Sequence, residues 1–159
     1  MSKRRDGREA AVQYLYQLDI HGDPAADLRQ DFWLVREASS AVKEFAESLI
    51  IGLAAKAAEV DVVLKRHLRN FEIVRLNTVD RNILRLAIFE MFHRMETPPI
   101  VAMNEAIDLA KKFGGEDSGK FVNGVLDQVK RELTRPLRDA VTPHLKKQKP
   151  VREPDAPQP

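Results

Sequence analysis

Cysteine is absent from the 159 residues. That removes disulfides, thiolate metal sites and cysteine nucleophiles, and it suits a reducing cytoplasm. No stretch approaches the roughly 18 consecutive apolar residues that a membrane span needs, so no membrane partner is expected. The opening residues Met1-Ser2-Lys3-Arg4-Arg5-Asp6 carry charge with no apolar run behind them and do not read as a secretory leader. Neither sign of charge dominates: 26 basic against 24 acidic side chains leave +2, which by itself points to no nucleic-acid partner. His21, His67, His93 and His144 lie far apart, never at metal-ligand spacing, so neither a metal nor another cofactor is expected. No serine has a neighbouring base that would support a hydrolase. Alternating strand patterns and solenoid repeats are also missing.

What remains is a helical chain. Hydrophobic residues make up 43% and charged residues 31%, the balance of one globular domain. The spacing predicts a first helix over Lys3 to Ile20, ended by His21-Gly22-Asp23-Pro24, and a second over Ala25 to Glu37. Ser39 or Ser40 caps a long stretch with the stripe Val42, Phe45, Leu49, Leu53, Val60, Leu64 and Leu68, expected to bend or break near Ala54 to Glu59. Thr78 reads as the cap of a helix running to Met95, apolar almost all round and therefore central. Pro98-Pro99 predicts an extended connection, Val101 to Phe113 a helix ended by Gly114-Gly115, and Asp117 or Ser118 the start of a last helix to Thr134. The core domain is read as residues 1–135. Residues 136–159, rich in proline, lysine and arginine, read as a disordered tail.

Basic residues gather at Lys3, Arg4, Arg5 and Arg8, at Lys65, Arg66 and Arg69, and from Lys130 to Arg152; any one cluster also fits a solvated helix face. Gly114 to Lys120 imitates the start of a phosphate-binding G-x-x-x-x-G-K loop. It lacks the following Ser or Thr, carries Glu116 and Asp117, and follows a helix instead of a strand, so nucleotide binding is not expected. Glu105 and Asp108, three apart on a helix, are an ordinary exposed pair, and no catalytic constellation emerges.

Phe121 is more informative. The stripe Val122, Val125, Leu126, Val129 and Leu133 defines the buried side of the last helix, and Phe121 points about 90–100° away from its centre. An aromatic ring at the core margin beside Lys120, with Asn123 nearby, suits base stacking with phosphate contact; it equally fits packing onto a neighbouring helix. On the first helix Arg4 and Arg8 are one turn apart, and Tyr16 returns to nearly the face of Arg5. That arrangement can follow an RNA backbone, or Tyr16 can be a packing residue.

At these residues the chain resembles the NusB family. The likeness lies in Arg4-Arg5, Arg8-Glu9-Ala10-Ala11 and Leu15-Tyr16-Gln17, in Asp80-Arg81 and Leu84-Arg85-Leu86-Ala87, and most strongly from Val101-Ala102-Met103-Asn104-Glu105-Ala106-Ile107 through Lys120-Phe121-Val122-Asn123-Gly124-Val125-Leu126-Asp127. It spans about residues 3 to 131. The resemblance implies an all-α fold, a compact bundle of about seven helices in two helical subdomains, with no catalysis and no cofactor. It implies binding of single-stranded boxA-type RNA with NusE, a small-subunit ribosomal protein, in a complex that makes RNA polymerase resistant to termination; a homodimer stays open. Carried over by position, the RNA face would hold Arg4, Arg5, Arg8, Tyr16, Arg85, Asp117, Lys120 and Phe121, and Asp80 would meet the protein partner.

Asp6 departs from the pattern by interrupting the arginine run, and the tail is longer and more basic than the family leads one to expect. A similar helical module opens certain ribosomal RNA cytosine-5 methyltransferases, but a methyltransferase would need a following α/β domain with a glycine-rich cofactor loop. A helical scaffold that binds only protein is the third reading.

Overall fold

Every regular element of the computed structural model, which describes residues 2–23, 25–68 and 72–140, is helical. Six α-helices and two short 3-10 turns stand where about seven helices were expected. Arg69 of the second basic cluster and residues 141–159 of the expected tail lie outside the described residues.

α1 spans Lys3–His21. Ser2 Oγ accepts the Arg5 N–H at its start, and Gly22, at φ 85°, closes its end onto the Leu18 carbonyl. α2 is only Arg29–Val35. The expected start at Ala25 fails because Asp23 and Asp27 turn their carboxylates onto the N–H groups of Ala25 and Arg29, a local bond that competes with helix. Phe32 anchors α2, its ring edge-on to Tyr14 at 5.6 Å.

α3 runs unbroken over Ser40–Arg66, capped by Ser39 Oγ on the Val42 N–H, so the expected break near Ala54 to Glu59 is not there. Those six residues are exposed, which is why the apolar stripe lapses. Five of them are alanine or lysine, whose intrinsic preference carries the helix across the gap without burial.

α4, Thr78–His93, is the centre: it packs against α1, α3, α5 and α6, with ten residues buried from Asp80 to Met91. Its cap is Asn77, one residue before the expected Thr78. α5 occupies Pro99–Gly114, two residues earlier than read, because proline suits the first helical position, where no N–H is needed. A single residue, Gly115 at φ 92°, joins α5 to α6, Glu116–Val129; no side chain tolerates that turn as glycine does. A 3-10 turn, Lys130–Glu132, replaces the last expected turn of α6.

Beyond it the chain is still held. The Arg135 guanidinium donates to the carbonyls of Arg94 and Thr97, and the Leu137 carbonyl accepts the Ile100 N–H at 2.9 Å. Ordered contact therefore reaches Leu137. Among the described residues no helix is long and apolar enough to cross a membrane.

Candidate nucleic-acid interface

α1 and α5 both flank α4 without packing closely on one another, and two charge clasps between long side chains set their relative direction. Arg5 donates from Nε and Nη2 to the Glu105 carboxylate at 3.0–3.3 Å, with Asp108 3.8 Å away. Further along, Lys112 Nζ meets both oxygens of Glu9 at 2.9 Å. Both helices advance from the first clasp to the second, so they run parallel. Glu105, Asp108 and Lys112 share one face of α5 because three- and four-residue steps return to the same side.

That direction places Tyr16. Eleven residues after Arg5 it returns to within about 20° of the same face, and it lies about 10 Å past Glu9 along the axis. α5 ends at Gly114, only two residues beyond Lys112. Tyr16, 39% exposed, therefore projects beyond the end of α5, close to the face of α1 that carries Arg5.

α6 begins at that turn and leans on α5. A Cβ on Gly119 would lie 2.6 Å from Lys111 Cγ, so glycine is required for the lysine stem to cross it. This explains the phosphate-loop look-alike: Gly119 makes room for a side chain. Asp117 and Lys120 are exposed on the first turns of α6, and Phe121 is half-buried, packed against the edge of the core as its angle to the stripe requires.

Not every residue carried over by position lies on this surface. Arg8 is buried, not exposed: its guanidinium grips both oxygens of Glu90 at 2.9–3.0 Å and lies over the Phe45 ring at 5.3 Å. Burial pushes the Glu90 carboxyl up from the usual glutamate value while Arg8 opposes the shift. Arg4, one turn earlier, is exposed, 6.0 Å from the same ring. Arg85 is paired with Asp61 at 2.8 and 3.1 Å in the wall of a cavity of about 760 Å³ between α1, α3 and α4, apart from the clasps. Asp80 is also corrected. Only 6% exposed, it caps α4 reciprocally with Asn77: Oδ2 accepts from Asn77 Nδ2 at 3.0 Å and the Asp80 N–H donates to Asn77 Oδ1 at 2.8 Å. A buried cap is not a surface for a protein partner.

Sequence reading passed over Glu105 and Asp108, which hold Arg5, and Lys111 and Lys112, which tie α5 to its neighbours. The signal was available. The order Arg5 then Glu9 mirrors, with opposite charge, the order Glu105 and Asp108 then Lys112. Among the described residues no cluster of three or more His, Asp or Glu could hold a metal.

The sequence profile described as "NusB family" matches residues 5–131. A transcription antitermination protein NusB of Myxococcus xanthus is 42% identical over 141 residues, covering 86% of this chain and 100% of that relative. The solved structure of T. maritima NusB superposes with a TM-score of 0.74 at 34% identity, over 85% of this chain and 94% of the other. A crystal structure of antitermination factors NusB and NusE in complex with double-stranded RNA contains a chain with TM-score 0.75 and 30% identity, covering 84% and 99%. A profile spanning the helical body from α1 through α6, with relatives matched along nearly their whole length, places the chain: it belongs to the NusB family.

Proposed function

We propose that the protein is a transcription antitermination factor that binds unpaired, boxA-type RNA together with the small-subunit ribosomal protein NusE, and that it works by binding and not by catalysis. The RNA surface runs from Arg4 and Arg5 on α1, past Tyr16, to Asp117, Lys120 and Phe121 on α6. The observation that carries this is the parallel direction of α1 and α5 set by Arg5–Glu105 and Glu9–Lys112, which ties the exposed face of α1 to the helix that leads into α6. Exposed cations give phosphate affinity without sequence information, and an edge aromatic gives a stacking platform. Arg8 acts from behind the surface by fixing α1 against α4.

Titration of labelled boxA-like, scrambled and double-stranded RNAs, with and without NusE, tests this. The boxA-like single strand should bind best, and NusE should tighten it by about 5- to 150-fold, the usual size of such coupling. No affinity for any of the three RNAs, with or without NusE, would leave the protein-only scaffold as the better reading.

A further inference from the structure

The apolar stripe of α5 runs through Ala102, Ala106, Leu109 and Ala110, none more than 6% exposed, and ends in a residue that the core does not cover. Phe113, next on that stripe, is 36% exposed. It is the last side chain before the Gly114-Gly115 turn, and the Lys112 ammonium lies 5.6 Å from its ring centroid. Its neighbours define where it sits. Lys112 reaches α1 through Glu9, and α6 begins at Glu116, three residues after Phe113, so the ring stands at the end of α5 beside the turn into α6.

We propose that Phe113 is a further stacking platform for an unpaired nucleobase, bridging the cations of α1 and the aromatic edge of α6. An exposed aromatic face backed by a lysine offers a π-surface for a base and a cation for the adjoining phosphate, the pairing that single-strand binders use. This inference rests on the RNA reading above and adds a contact that the sequence pattern assigned to the core.

The test uses the full chain with NusE and a boxA-like single-stranded RNA oligomer carrying 2-aminopurine at each position in turn. Phe113→Leu keeps apolar bulk and removes the ring; Phe113→Trp keeps a ring. Phe113→Leu should weaken binding by about 5- to 150-fold with no change in salt dependence, because a stacked base contributes affinity without releasing counterions. One 2-aminopurine position should lose its quenching, and Phe113→Trp should restore both affinity and quenching. Wild-type affinity and unchanged quenching in Phe113→Leu would overturn the proposal. If Phe121→Ala weakens binding while Phe113→Leu does not, the RNA reading survives and this inference fails. If the unaltered protein does not bind the RNA, both fail.

Discussion

Arg8 and Arg5 differ by three positions in sequence and by most of their surroundings in space. Arg8 is enclosed with Glu90, both nearly without exposure, and removing one partner of such a pair strands the other. Arg8→Met should cost about 3–5 kcal/mol in denaturant unfolding, and adding Glu90→Leu should recover most of it. The pH dependence has a definite sign. Burial raises the Glu90 carboxyl above its ordinary 4.5, so its contribution to stability is full below that value and declines as pH rises through the shifted one. Without the guanidinium the decline should be steeper, which unfolding free energies from pH 4 upward would show. Arg5, in contrast, is half-exposed and occupied by Glu105 and Asp108, which any phosphate must displace. Glu105→Gln should therefore tighten RNA about two- to fivefold, the size of one exposed pair. Weaker binding would mean that Glu105 orients Arg5 instead of competing for it.

Elements with a full stripe were legible from spacing alone. α6 buries Val122, Val125, Leu126 and Val129 as its period requires, and α4, apolar almost all round, is central. Where the stripe lapses, periodicity misleads. The exposed run from Ala54 to Glu59 looked like a bend because burial and helicity were treated as one signal. Continuity there has a measurable consequence: Ala55→Pro should cost about 3 kcal/mol or more and Ala55→Gly about 1 kcal/mol. Proline tolerated at that position without loss of stability would argue for a real interruption. The same limit explains Asp80. Its meaning depends on whether Asn77 or Thr78 caps α4, and a shift of one residue turns a candidate partner contact into a buried cap.

At the scale of the whole molecule, the family and the all-helical fold were readable in sequence because the long block from Val101 to Asp127 is specific and nearly continuous. The composition of the site was less so. Arg8 meets Glu90 across 82 residues and Arg5 meets Glu105 across 100, and no local pattern reports which arginine turns inward. Exposed guanidinium and buried guanidinium look alike until the helices are docked. The proposed surface joins two ends of the chain through α5, so its cations and its aromatic ring should act on one RNA strand in separable ways.

That separability is best measured by the salt dependence of affinity for one boxA-like single-stranded RNA, in the presence of NusE, for the unaltered protein, Arg5→Ala and Phe121→Ala. Arg5→Ala should flatten the slope of log affinity against log salt by about 0.7, one phosphate contact. Phe121→Ala should leave the slope unchanged and lower affinity by about 1–3 kcal/mol. An unchanged slope in Arg5→Ala, together with unchanged affinity and a lowered melting temperature in Phe121→Ala, would contradict the shared surface and leave the ring as core packing.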